Sequence, residues 1–499
     1  MIRIIPSTKT SIGNFFKEKD KTTLLFIAIA TAFGLFFVFS TPLLWGADET
    51  THVGRVYQIS QGTVFSQKVE DGYVSVNAGG FGFGGMVPLN LKRLIEYTNY
   101  DFNVNGPQQT AGVKWVDKPQ DYKEFGKLTL KGDKVAYNFS NTAIYSPVAY
   151  APSVAGFKVA QLFNLKLGPT IYFGRIFALL FYVAVVAFVL RSIRNMRLKW
   201  VIFVVALMPG AVYQASFINA DTVTIALALG IVGLLGKGLM KAGGKLTKYE
   251  FFLLLACAIF LPVAKPSYFL FTPLVLLIPL KSLPFRRYAR IATIGSVVLG
   301  YVVFALWQYK TRYLEDASKY IIAGVVPWWL QIDESRQITY IVRHPLDYIV
   351  TFFRTILIAD NGYFDGLFGK LGFNYVQVPA MAMMASLSAM VLGVMSSEKQ
   401  SVDRKKLAIL LITCLGTIGL IFTVLYITIS SVAMSTIQGV QGRYFLPLLP
   451  LVLFTIVYAS RSRIDFKKFS YKHLTLLIPA LVVFSLLTSA LRYFYVTWG

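Results

Sequence analysis

Among its 499 residues this chain has only two cysteines and three histidines, and 24 acidic residues stand against 49 basic ones. Cys257 and Cys414 both fall inside apolar runs, where thiols serve packing rather than a disulfide or a metal site, so they carry no information on redox compartment. His52, His344 and His473 are too far apart for the familiar zinc spacings, and the run DETTH lacks the second histidine of a zincin helix. Internal repeats and low-complexity linkers are also missing, which predicts one membrane domain across 1–499. The shortage of acids leaves a net charge of +25. The basic residues lie in short stretches between apolar runs rather than in one domain, a topological pattern, so no nucleic-acid partner is expected.

What is abundant is apolar sequence, 55% of the chain, in runs that match the roughly 20 residues a helix needs to cross a bilayer. The expected fold is an all-α integral membrane bundle. The first apolar run is long and no small-residue cleavage site follows it, so it reads as a retained helix in contact with the lipid bilayer. Five basic clusters, around Arg191, Lys237, Arg286, Arg404 and Arg461, are assigned to the cytoplasmic side together with the N-terminus. Eleven spans then follow, at 23–44, 171–190, 200–217, 219–237, 250–263, 266–280, 289–308, 380–396, 406–429, 443–460 and 474–491. The stretch 147–163 is interrupted by Lys158 and Gln161 and is assigned to the membrane interface. The apolar run 253–280 is read as a hairpin of two short helices broken at Pro262 and at Lys265-Pro266.

Two long loops, 45–146 and 309–379, fall on the same, extracytoplasmic side, and loops of that length are uncommon unless functional. The glycine run GGFGFGG at 79–85 lacks the strand and helix of a phosphate-binding loop and is read as a flexible or membrane-skimming turn. In the second loop, 326–330 with Trp328 and Trp329, and the amphipathic stretch 345–358, are expected to be interfacial helices against which a lipid tail packs.

Asp48 and Glu49, in WGADETTH just after the first span, are the leading candidates for chemistry, because carboxylates at a membrane exit are costly to retain. On a helix starting there, His52 follows Asp48 by four residues and Glu49 by three, so the three can converge. A capping Asp with an acidic first turn is equally ordinary helix grammar. Adjacent carboxylates leave from one surface of a helix and cannot flank a glycosidic bond from opposite sides, as a hydrolase requires. One carboxylate as general base on an acceptor hydroxyl, with the other holding a divalent metal (Mg or Mn) or orienting His52, suits glycosyl transfer. Transfer from a lipid phosphate also needs cations for the leaving group, and Lys265, Arg443 and Arg175 are the candidates, with lipid headgroups as their alternative destination. Asn219 and Asp221 in FINADTVT can reach the same cavity or cap a helix. Asp360, Asn361 and Asp365 in IADNGYFDG form either a ligand-rich turn or a plain one.

The order of a basic N-terminus, one span, then TPLLWGADETTHVGRVYQISQG resembles a bacterial family of polytopic membrane proteins of unknown function. YSPVAYAPSVAG, FINADTVTIALA, PVAKPSY, the GYFDG segment and VQGRYFLPLLP resemble that family's other signatures in the same order, over about residues 40 to 460. That family is similar to the GT-C superfamily of membrane glycosyltransferases, which carry an acidic motif in the first extracytoplasmic loop. The resemblance implies a polyprenyl-phosphate-linked sugar donor, a glycan or lipid-linked acceptor, inversion at the anomeric carbon, and residence in the bacterial cytoplasmic membrane. It implies Asp48 as catalytic base, Glu49 as its acidic neighbour, and Arg443 and Lys265 as donor-phosphate contacts. The acids here are adjacent rather than separated by one residue, which leaves metal dependence open. A flippase of lipid-linked saccharides and a polysaccharide polymerase or ligase are the competing expectations.

Overall fold

A computed structural model describes residues 20–70, 82–105, 119–240, 244–314, 332–357, 362–372, 376–395, 403–459 and 471–498. Within them the chain is mostly helical, and six helices are long and apolar enough to cross a membrane: Lys21–Ser40, Leu167–Ser192, Asp221–Leu239, Arg286–Leu314, Arg404–Thr428 and Leu476–Trp498. Each coincides with one of the eleven predicted spans. The other five predicted spans are shorter pieces. The segment 200–217 divides into Met196–Ala206 and Pro209–Gln214, because Pro209 has no N–H to continue the first helix and its fixed φ starts the next. Ala380–Met395 and Leu449–Ala459 are apolar but short. Asp221–Leu239 is nearly all buried and forms the centre of the bundle.

The predicted hairpin near residue 265 forms, with its break in one place rather than two. Lys248–Ala264 runs through Pro262 without interruption, then Lys265 turns extended (φ −149°, ψ 112°) before Pro266 opens a 3-10 helix to Leu277. A residue that precedes proline is pushed out of the α region, so the Lys265-Pro266 step is where the chain reverses. The Thr272 hydroxyl donates to the Ala258 carbonyl at 3.2 Å, joining residues equidistant from that break.

The helix ends separate by charge. Lys237 and Glu250 pair at 2.7 Å where Asp221–Leu239 ends and Lys248–Ala264 begins, and Lys199 pairs with Asp20 at 2.5 Å at the start of the first span. Arg191 closes Leu167–Ser192 and Arg404 opens Arg404–Thr428. The opposite ends of these helices lead to Asp48, Asp221, Lys265 and Arg443. The basic clusters among the described residues therefore lie at one end of the bundle and those four residues at the other.

Over that second end lies a small cap, which departs from an all-α fold. Strands β1 (Gln67–Val69), β2 (Gly82–Pro88) and β3 (Lys134–Asn138) form an antiparallel sheet in the order β1-β2-β3, and β4 (Lys370–Leu371) pairs with β5 (Val376–Gln377) elsewhere. Residues 82–85 of the glycine run are thus a buried strand, not a turn; residues 79–81 lie outside the described residues. Glycine is required by close approach: a Cβ on Gly84 would stand 1.9 Å from the Tyr137 carbonyl oxygen, and one on Gly85 would meet Gln58 at 2.7 Å. Gln58 donates to the Gly84 carbonyl at 3.0 Å, so the sheet grips the helix Glu49–Ser60.

The helix Pro147–Leu162 lies alongside Glu49–Ser60. It is too short and too polar to count among the full-length spans. In the second loop the amphipathic helix forms as Pro345–Leu357, with Leu346, Ile349, Val350, Phe353 and Leu357 exposed along it. The 326–330 stretch with Trp328 and Trp329, and Asp360 and Asn361, lie outside the described residues.

Candidate functional site

Asp48 occupies the N-cap position of Glu49–Ser60, yet its carboxylate makes no capping hydrogen bond. Its backbone is left-handed (φ 57°, ψ 15°), an uncommon conformation for a residue with a Cβ, and this aims the side chain away from the helix amides. The ordinary helix-grammar reading of Asp48 is therefore replaced by a different one. Its Oδ2 accepts from Arg443 Nη2 at 2.9 Å, across 395 positions of sequence. The Asp48 side chain is still 46% exposed, while that of Arg443 is 8% exposed, so Asp48 is the open end of the pair.

The charge pattern continues inward. Arg443 Nε lies 3.9 Å from Asp221 Oδ2 and has no hydrogen-bond partner although buried, and Asp221 Oδ1 accepts from Lys265 Nζ. Asp48, Arg443, Asp221 and Lys265 alternate in sign, two anions and two cations in a space closed to water at its inner end. Charges buried this deeply are retained only when paired. The Tyr444 ring carries both cations, Lys265 Nζ at 4.6 Å and Arg443 Cζ at 5.6 Å from its centroid. Tyr268 donates its hydroxyl to the Tyr444 carbonyl, and Ser146 donates to the Val263 carbonyl at 2.7 Å, fixing the two breaks that present these cations.

His52 is buried one turn along the helix, with Nδ1 2.6 Å from the Tyr150 hydroxyl. Burial pushes its pKa down to about 4, the Arg443 and Lys265 charges add to this, and Asp48 and Asp221 oppose it, so the ring is neutral at physiological pH. Burial works against the Asp48 charge, but Arg443, joined by His52 once that ring is protonated in acid, outweighs it and holds this carboxyl below its usual range. Asp48 is ionised at neutral pH.

Glu49 does not join this group. Neighbouring helical positions point about 100° apart, and Glu49 turns into the bundle, where it is fully buried against Arg175. Its Oε1 accepts from Arg175 Nε at 2.8 Å and from the Ile218 N–H at 3.0 Å; its Oε2 accepts from Arg175 Nη2 at 2.6 Å and from the Gly46 N–H at 3.0 Å. The remaining Arg175 donors go to the carbonyls of Val38, Thr41 and Pro42 at 2.7 to 3.0 Å. All five guanidinium N–H groups are taken. The pair fastens the end of the first span to Leu167–Ser192, so Glu49, expected to be catalytic or metal-binding, and Arg175, expected to bind substrate, sit in a closed ion pair apart from the Asp48 group. Asp48 and Glu49 do not fit a shared metal, since their carboxylates diverge and both Glu49 oxygens are occupied. Among the described residues no group of three or more His, Cys, Asp or Glu side chains is arranged to hold a metal ion.

Asn219 is likewise structural. Its amide nitrogen donates to the Gln214 and Phe217 carbonyls, and its oxygen accepts from the Asp221 and Thr222 N–H groups, so it caps Asp221–Leu239 and leaves Asp221 free to face the cations. Asp365 stands apart from the charged group, accepting from Gln377 Nε2 at 2.5 Å. Its segment contributes through glycine instead. A Cβ on Gly442 would lie 2.1 Å from the Tyr363 carbonyl oxygen, and Gly366 packs on Gly442, so the helix Tyr363–Gly369 props the turn that carries Arg443.

Four residues escaped the sequence reading: Tyr150, Tyr268, Tyr444, and Tyr145, whose ring centroid lies 6.1 Å from that of His52. They lie inside the segments singled out there, but 28 tyrosines in an apolar chain give no reason to choose these. The segments themselves converge: WGADETTH, YSPVAYAP, FINADTVT, PVAKPSY and VQGRYF meet in one charged group, with GYFDG against its edge.

The fold and site define a multi-pass helical membrane protein with Asp48, Asp221, Lys265 and Arg443 gathered at one end of the bundle. Residues 32–452 match the family described as Predicted membrane protein (DUF2142), and the chain belongs to that family. No curated protein and no solved structure matches the chain.

Proposed function

We propose that the protein is an inverting membrane glycosyltransferase of GT-C type, transferring a sugar from a polyprenyl-phosphate donor to a cell-envelope glycan or lipid-linked acceptor. The observation that carries this reading is the half-open Asp48 carboxylate, on a left-handed backbone, beside two buried cations, one of which, Arg443, keeps an unused N–H donor. In the proposed step Asp48 accepts the proton of an acceptor hydroxyl as its oxygen attacks the anomeric carbon. The bond from that carbon to the donor phosphate breaks, and its electron pair leaves with the phosphate, whose charge Arg443 and Lys265 stabilise. A donor phosphate that draws Arg443 toward itself also frees Asp48 to act as base. No step is routed through a metal.

The basic residues at the far end of the bundle support an extracytoplasmic site by the positive-inside rule, and with it the bacterial cytoplasmic membrane as location. The test is sugar transfer by the protein in nanodiscs, supplied with labelled polyprenyl-phosphate sugars and envelope glycan. Asp48→Asn should reduce transfer by ~10²–10⁴-fold, the range for loss of a general base. Unchanged transfer by that variant would exclude Asp48 as base. Movement of lipid-linked saccharide across the bilayer, without any transfer, would make the protein a transporter.

A further inference from the structure

The helices Glu49–Ser60 and Pro147–Leu162 run parallel, since His52 meets Tyr150 near one end and Ser60 accepts from Gln161 at 3.1 Å near the other. At the first end lies the charged group. At the second lies a cavity of about 210 Å³, lined by Tyr57, Gln61, Thr129, Lys131, Gln161 and Asn164 together with two leucines. Nine residues separate His52 from Gln61, and at 1.5 Å per residue the cavity lies roughly 13 Å along the helix from His52.

Its chemistry differs from that of the Asp48 group. Carboxamides and a hydroxyl offer both donors and acceptors, the Tyr57 ring offers an apolar face, and no carboxylate lines the space. Lys131 lines it, and Lys134 Nζ stands 5.9 Å from the centroid of the Tyr57 ring. The walls are tied to rigid elements: Leu167 N–H donates to the Leu128 carbonyl at 2.9 Å, and Gln61 Nε2 donates to Gln161 Oε1 at 3.3 Å. The volume is below that of a drug-sized pocket and suits one ring-sized ligand.

We infer that this cavity is a binding subsite for a hydroxyl-rich unit bearing negative charge, an acidic saccharide residue of the acceptor. The inference rests on the transferase reading for the word acceptor; the site chemistry stands without it. The same chemistry is offered by the headgroup of phosphatidylglycerol, which is both polyhydroxylated and anionic, and the experiment separates the two sources.

Saturation-transfer NMR on the full chain in phosphatidylcholine nanodiscs, with glucuronate and glucose as probes and no donor present, reads probe binding, and the Lys131 and Gln61 variants assign it to this site. Glucuronate should receive more saturation than glucose. Lys131→Ala should weaken glucuronate binding about tenfold, the cost of one hydrogen bond to a charged group, and Gln61→Ala about fivefold. Both side chains are exposed, so an unchanged thermal midpoint checks that the variants fold. If phosphatidylglycerol in the nanodisc displaces glucuronate, the subsite stands with a lipid headgroup as its occupant; if it does not, the soluble saccharide is the ligand. Equal saturation of both probes in wild type and variants, or none in wild type, overturns the inference. Binding that persists in Asp48→Asn while transfer is absent from every form would retain the subsite and discard the transferase reading.

Discussion

Replacing Glu49 by Gln separates architecture from chemistry at the two adjacent acids. In the wild type Glu49 receives two charged hydrogen bonds from Arg175, at 2.8 and 2.6 Å, with both side chains fully buried. The amide keeps the volume and one acceptor oxygen but loses the charge, and it turns an NH₂ group toward donors that need an acceptor. Hydrogen bonds to charged groups contribute about 1.5–3 kcal/mol each, and breaking a buried ion pair from one side costs about 3–5 kcal/mol. We therefore expect Glu49→Gln to destabilise the fold by about 3–5 kcal/mol, because Arg175 remains as an uncompensated charge in the bundle. The assay is reversible unfolding in detergent, extended to a double-mutant cycle with Arg175→Met. The double variant should recover part of the loss, since removing both charges relieves the penalty of leaving one. Wild-type stability in Glu49→Gln combined with abolished activity would refute the structural assignment and return Glu49 to the chemistry.

Asp48→Asn should show the reverse pattern, lost transfer with stability within about 1 kcal/mol of wild type, because its half-exposed ion pair is screened; unfolding and transfer assays on one preparation check both. Gly442→Ala should displace the Arg443 turn, since the new methyl would stand 2.1 Å from the Tyr363 carbonyl oxygen, and weakened binding of a polyprenyl phosphate is the readout. The His52 pKa is about 4 in the folded chain against 6.5 for an unperturbed imidazole, so the unfolded chain binds a proton first as pH falls. His52 should therefore contribute its full stabilisation above pH 6.5 and lose about 3 kcal/mol between pH 6.5 and 4, a dependence that His52→Gln should remove in a pH series of unfolding midpoints.

Hydrophobic periodicity and the cost of charge are local properties, which is why they were legible along the chain. Six long helices, the amphipathic helix at Pro345–Leu357 and the break before Pro266 follow from them directly. The same reasoning marked Asp48, Asp221, Lys265 and Arg443, because each is a charge beside an apolar run. It gave no sign that Pro209 divides the segment 200–217 into two helices, and it took residues 82–85 for a turn because glycine's need for space looks identical to its freedom to bend.

Which charges are available to a ligand was a matter for the tertiary structure alone. By residue type and position alone, Arg175 and Arg443 are both cations near the same membrane face, and Asp48 and Glu49 are neighbouring acids. Hydrogen-bond accounting separates them: Arg175 and Glu49 satisfy one another and the nearby backbone, whereas Arg443 keeps an unpaired donor and Asp48 an open face. That accounting depends on partners 126 and 395 positions away, brought together by packing of the whole bundle. The sequence by itself determined that costly charges are kept at membrane exits; only the fold decided which of them brace the bundle and which keep an open face or an unused donor, because satisfaction of a buried polar group is a property of its neighbours in space.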